Sequence, residues 1–184
     1  MTITNLSTTL RNFLRLTITR YLGINLMRNN VEDIFNYLQL DENIATGGQP
    51  AKKQFTALKN AGYKTIINLA LPTSENALPN EKAIVEGLGM NYIHIPINFN
   101  HPTERDFTNF CEAMQTYRQQ KTFVHCAANL RVSAFMYLYR VLDRGVSKTT
   151  AKQDLNKLWQ PDKTWQNLID KIMAKNSQTL SLSK

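Results

Sequence analysis

The chain has 184 residues, 42% of them hydrophobic and 9% aromatic, enough apolar material for the core of one domain, which excludes wholesale disorder. Two cysteines, Cys111 and Cys126, exclude a disulfide framework and a four-cysteine zinc site, three histidines give no basis for expecting a metal, and no apolar run approaches the roughly 18 residues of a membrane span. The net charge of +8 sits at the ends, because residues 1–31 hold four arginines and no acid while residues 32–170 hold 15 basic and 14 acidic residues, so no nucleic-acid partner is expected.

In chain order, residues 1–30 read as an appendage. Leu10, Leu14, Ile18 and Leu22 recur every four residues beside Arg11 and Arg15, the pattern of an amphipathic helix. Such a segment can pack on the domain, lie on an anionic membrane surface as a peripheral contact, or serve as an organelle address, and packing is the favoured reading. Residues 31–175 form the main domain. Val31–Leu40 reads as a short helix-like approach. Ile44–Ala45 begins an extended stretch that ends in Gly47-Gly48-Gln49-Pro50. Helices are expected over Ala51–Asn60, Glu81–Leu88, Thr103–Gln119, 131–143, 147–158 and 164–174. Strands are expected at Thr65–Leu69, Tyr92–Ile97 and Thr122–His125. The Ser-rich tail 176–184 reads as loose.

Strands alternating with helices imply an α/β fold, a central, mostly parallel sheet flanked by helices. Ligands of such sheets bind beyond the carboxyl ends of the strands, which places the candidate site just after Val124. There Cys126 ends a strand, and a buried helix has begun by Arg131. The short residues between, Ala127, Ala128, Asn129 and Leu130, can wrap so that the N–H groups of 127–131 face inward as an anion cradle, with the helix's positive end behind them. The same field favours a thiolate at Cys126. The Arg131 fork could clamp two oxygens of an oxyanion, and Ser133 could donate toward the sulfur. His125 would point away from the loop into the fold, and Cys111 reads as core packing.

The segment His125-Cys126 through Arg131-Val132-Ser133 resembles the His-Cys-x5-Arg-Ser/Thr signature of the protein tyrosine phosphatase superfamily. Residues 40–175 look like the small bacterial phosphatase-like domains also found fused to beta-lactamase-like hydrolases. The matching pieces are Gly47-Gly48-Gln49-Pro50, Gly62 through Leu69, Ile95-Pro96-Ile97 and Pro102-Thr103. The resemblance implies a cysteine-phosphatase fold of the tyrosine or dual-specificity type. It implies hydrolysis of phosphate monoesters through a phosphocysteine on Cys126, with Arg131 as phosphate clamp. No cofactor or metal is called for, the substrate is a phosphorylated protein or small molecule, and a cytoplasmic location is expected unless residues 1–30 act as an address.

Two departures from the pattern keep rivals open. Four residues rather than five separate Cys126 from Arg131, a spacing shared with rhodanese-like sulfurtransferases, in which Cys126 would carry a persulfide. The loop Asn98-Phe99-Asn100-His101-Pro102 lacks the family's aspartate, so a phosphate-binding module with weak or no turnover is the other rival. Substitute proton donors in the sequence are His101, Glu104 and Asp106, with Asp106 also reading as a helix cap for Thr103.

Overall fold

The computed structural model describes residues 30–182, and the expectations for residues 1–29 lie outside the described residues. Five strands, β1 (Leu38–Gln39), β2 (Ile44–Gly47), β3 (Thr65–Asn68), β4 (Asn91–His94) and β5 (Thr122–His125), form one sheet in the order β1-β2-β5-β3-β4. Only the β1–β2 pair is antiparallel. Six helices accompany the strands: α1 (Lys52–Asn60), α2 (Glu81–Gly87), α3 (Glu104–Thr116), α4 (Leu130–Leu142), α5 (Lys148–Asn156) and α6 (Lys163–Leu182). The expected α/β architecture with a mostly parallel central sheet is therefore the observed one. None of the described helices is long and apolar enough to cross a membrane.

The short apolar strands are central because both of their faces are covered. Every residue of β2, β3 and β5 is buried. Successive side chains alternate between faces, and each face has its own core. Ala45, Ile66 and Phe123 pack with Phe55 and Leu58 of α1 and Val85 of α2. Ile44, Ile67 and Val124 pack with Phe107 and Phe110 of α3, Val132 and Phe135 of α4, and Trp165 and Ile169 of α6. Helix α4 has nine of its 13 residues buried, in keeping with a sequence apolar on nearly all sides.

Three boundaries differ from the sequence reading. Val31–Leu40 is not one helical unit but a 3₁₀ turn at Val31–Asp33 and then β1, separated by Asn36 in the left-handed region at φ 52°. The turn into β2 is closed by Asp41, whose Oδ1 accepts the Asn43 and Ile44 N–H groups at 2.8 Å each. Strand β4 ends at His94 rather than Ile97, since Pro96 has no N–H to continue the ladder, although Ile95 and Ile97 still donate to the Asn68 and Leu69 carbonyls. The tail read as loose from Asn176 instead continues α6 to Leu182, with no Gly or Pro to stop it and the Ser177 hydroxyl donating to the Met173 carbonyl at 3.0 Å.

Gly47, the last residue of β2, leaves no room for a side chain. A Cβ there would meet Phe123 Cζ at 2.8 Å and Ile34 Cγ2 at 2.9 Å. Gly47→Ala is expected to destabilise by about 1–3 kcal/mol, a fall of roughly 2–10 °C in Tm. Thermal unfolding followed by fluorescence checks this, and an unchanged Tm would refute the packing account.

Candidate active site

Cys126 lies at the carboxyl end of the central strand, 1% exposed, with its N–H donating to the Gly47 carbonyl at 3.3 Å. The chain then turns through Ala127, Ala128 and Asn129 into α4. Asn129 adopts the left-handed region at φ 67° as the residue preceding the helix, a conformation asparagine tolerates better than most non-glycine residues. Its amide donates to the Asn36 carbonyl at 2.7 Å and to Thr46 Oγ1 at 2.9 Å, which fixes the turn from outside.

The loop's carbonyls are held outward. Ala127 O accepts from the Gln49 N–H at 3.2 Å and from Asn76 Nδ2 at 2.9 Å, and Ala128 O accepts from Asn36 Nδ2 at 3.0 Å. Gly48 permits this approach, because a Cβ there would stand 3.0 Å from Ala127 O and 3.0 Å from Phe35 O. Because a peptide group is planar, the outward Ala127 carbonyl turns the N–H of Ala128 to the opposite side. The N–H groups of Ala127, Ala128, Leu130 and Arg131 have no acceptor among the described residues. They cluster at the N-terminus of α4, where the helix field also favours negative charge.

Arg131 falls in the first turn of α4 and turns inward, 6% exposed. Its Nη1 donates to the Leu69 carbonyl at 3.2 Å and to the Ile97 carbonyl at 2.8 Å. These bonds tie the loop to the ends of β3 and β4. Nε and Nη2 have no protein acceptor among the described residues, so one side of the planar fork is anchored and the other is left to donate.

Ser133 has partners away from the loop's N–H groups. Its hydroxyl donates to the Leu130 carbonyl at 2.9 Å and accepts from Trp159 Nε1 at 3.0 Å. Asp106 does not serve as a proton donor in this arrangement, because its carboxylate accepts from the Thr103 N–H at 2.9 Å and the Thr103 hydroxyl at 2.8 Å, while its own N–H donates to Thr103 Oγ1. This is the capping box that the spacing foretold. Glu104 pairs with Lys171 at 2.7 Å and Lys175 at 3.1 Å, and hydrogen bonds from those two lysines hold its carboxyl below the usual range. His101 is exposed, beyond a turn closed by its N–H on the Asn98 carbonyl. That loop is pinned through Phe99, whose ring packs on Trp159 and Trp165 and whose carbonyl accepts from Trp165 Nε1 at 3.0 Å.

The sequence reading missed Glu81. It opens α2 with 5% exposure, and its Oε1 lies 3.0 Å from His125 Nε2 and accepts from Asn68 Nδ2 at 2.9 Å. Gln49 Nε2 donates to its other oxygen. The network gathers groups at or just past the carboxyl ends of β2, β3 and β5, the strand that leads into the loop. His125 is fully buried and flanked by the Phe55 and Phe123 rings. An acid in the first turn of a helix reads from sequence as a partner of the helix dipole. The available signal was the inward histidine, which needs a partner when buried.

Burial pushes the Glu81 carboxyl up, but hydrogen bonds from His125, Gln49 and Tyr92, with the charge of His125, bring it below the ordinary value. A lowered folded-state value means that the interaction stabilises fully above the unfolded carboxylate's range. It is lost as pH falls from the ordinary 4.5 through the folded value. Glu81→Gln is expected to cost about 3 kcal/mol at neutral pH and to flatten the loss of stability on acidification. Denaturant unfolding at several pH values checks this, and a variant with wild-type acid sensitivity would sink it.

Comparisons with known proteins agree with this geometry. The family model described as a DSP-PTPase phosphatase fused to NAD+ kinase matches residues 15–174. A crystal structure of a putative phosphatase (DUF442) from Shewanella putrefaciens CN-32 is 32% identical, superposes with a TM-score of 0.73, and is covered over 97% of its length by 80% of this chain. TpbA of P. aeruginosa, solved in complex with pTyr, shares the fold at 13% identity and a TM-score of 0.61, over 78% of this chain and 91% of its own. A beta-lactamase hydrolase-like protein of Xylella fastidiosa is 29% identical over 109 residues, 58% of this chain, and one of Agrobacterium fabrum is 28% identical over 115 residues, 61% of this chain. The chain spans about a quarter of the length of these curated relatives, 25% and 26%. With a strand-end cysteine followed by a short loop and a buried helix, and a family match over most of its length, the chain belongs to the DSP-PTPase phosphatase family.

Proposed function

We propose that the protein hydrolyses phosphate monoesters through a phosphocysteine on Cys126. The observation that carries this reading is the cradle itself: undonated N–H groups at 127, 128, 130 and 131 beside the half-anchored guanidinium of Arg131. A phosphoryl group offers three oxygens to such donors, and its charge grows outward as the leaving oxygen departs. The Cys126 thiolate attacks phosphorus, Arg131 Nε and Nη2 take two equatorial oxygens in a fork, and water then cleaves the S–P bond. The phosphatase family of the chain favours phosphoryl transfer over transfer of a persulfide sulfur. The substrate class is a phosphorylated protein or a small phosphate ester, with aryl phosphates turned over most readily because their leaving groups need least protonation.

Cys111 is not a competing nucleophile. Burial, with the nearby charges of Asp143 and Glu112, pushes its thiol up to about 12, so it stays protonated at neutral pH. Purified, reduced protein is expected to hydrolyse p-nitrophenyl phosphate, with Cys126→Ser at background. Arg131→Lys should lose ~10²-fold or more in kcat/KM, as removal of an aimed donor does. Turnover that persists in Cys126→Ser, or a folded wild type without turnover, would defeat the reading.

A further inference from the structure

The loop where this superfamily carries its acid has no carboxylate here, yet expulsion of an unactivated oxygen needs a proton. The chain's 14 carboxylates can be sorted by where they sit and what holds them. Around the phosphate loop, Glu81 is buried and held as an anion by His125, Asn68 and Gln49. Glu104 is paired to two lysines, and Asp106 caps α3. Asp162 caps α6, its Oδ1 accepting the Trp165 N–H at 3.0 Å. Glu75, on the connection from β3 to α2, has no such engagement.

That connection is fastened to the phosphate loop. It leaves β3 at Leu69, whose carbonyl holds Arg131, and turns at Leu71–Ser74 and again at Ser74–Ala77, each closed by a backbone hydrogen bond of about 3 Å. Glu75 and Asn76 are the two central residues of the second turn. Asn76 Nδ2 donates to Ala127 O at 2.9 Å, the carbonyl next to Cys126. Glu75 is the preceding residue, its Cα about 3.8 Å from that of Asn76. It is exposed, and no hydrogen bond or ion pair holds it among the described residues. Pro72 and Pro79 flank the connection and restrict its backbone. His101, the other unengaged candidate, sits beyond the Phe99 anchor, at the far end of a turn whose own contacts run to Trp159 and Trp165.

We propose that Glu75 is the general acid and base of the reaction, delivered by the β3–α2 turn; this rests on the phosphatase reading above. As the Cys126 S–P bond forms and the ester P–O bond breaks, the leaving oxygen takes the Glu75 carboxyl proton. The resulting carboxylate then accepts a proton from the water that attacks phosphocysteine, the S–P bond breaks to return the thiolate, and inorganic phosphate departs. Proton, electron pair and leaving group balance within one turnover.

The test compares the full-length wild type, Glu75→Gln and His101→Asn on phenyl phosphate, a poor leaving group, and 2,4-dinitrophenyl phosphate, a good one. Glu75→Gln is expected to lose ~10²-fold or more in kcat/KM on phenyl phosphate and no more than a few-fold on the dinitrophenyl ester. Its pH profile should lose the limb that requires a protonated acid. An equal loss on both esters, or no loss on either, overturns the assignment, as does a leaving-group-dependent loss found in His101→Asn and not in Glu75→Gln. A wild type inert toward both esters defeats the phosphatase reading itself. Wild-type turnover with Glu75→Gln blind to the leaving group defeats Glu75 alone. As Glu75 is exposed and unpaired, an unchanged Tm is expected of the glutamine variant and separates chemistry from folding.

Discussion

The carbonyl oxygens of Ala127 and Ala128 point outward, tied to Gln49, Asn76 and Asn36, and the rest of the site depends on that orientation. A peptide group is planar, so fixing its oxygen fixes its N–H on the opposite side. The Ala128 N–H is oriented in this way without any side chain reaching in, and those of Leu130 and Arg131 are left free as the first N–H groups of α4. The bonds come from segments far apart in sequence: the 3₁₀ turn region, the Gly47-Gly48 strand end and the β3–α2 turn. The loop is thus held by tertiary structure, so a sequence poor in glycine between Cys126 and Arg131 can still adopt it. Only Asn129 needs the left-handed region, and its amide is bonded on the outside as well.

Arg131 converts this local shape into a site. Two of its five N–H donors hold carbonyls that follow β3 and β4, and both are taken from Nη1. A lysine could not do this and still present a flat pair of donors, because its ammonium has no second, rigidly oriented nitrogen. The same two bonds set the positions of both loops that could carry a proton donor, since Leu69 begins one and Ile97 the other. Anchoring the clamp and placing those loops are one structural event.

The fold was legible because its evidence is local. Thr122–His125 reads as a strand and is one, residue for residue, and the four parallel strands and six helices were all visible as alternating periods. What escaped was non-local. β1 is two residues long and exists only through pairing with β2, so no periodicity announces it. At the site, Cys126 and Arg131 were legible from a strand, a short loop and a helix in sequence. The roles of Ser133 and Glu81 were not, because each is decided by a partner far along the chain, Trp159 for one and His125 for the other. The Asp106 cap was legible because capping is a three-residue matter.

Glu81 and Glu75 lie six positions apart and meet opposite environments. The first is buried under the strand ends with donors on both oxygens, which stabilise the carboxylate and take it out of proton exchange with substrate. The second stands exposed on a turn bonded to the loop. An acid that must give and take a proton once per turnover needs access and no permanent partner, whereas a charge that steadies a buried histidine needs the reverse. The β3–α2 connection meets both demands with one short excursion. It departs from the carbonyl that holds Arg131, bonds the outward carbonyl of Ala127 at Asn76, and returns through left-handed Asn80 so that Glu81 enters the interior at the first residue of α2. The connection that buries one carboxylate against the strand ends thus leaves the other exposed on a turn bonded to the loop.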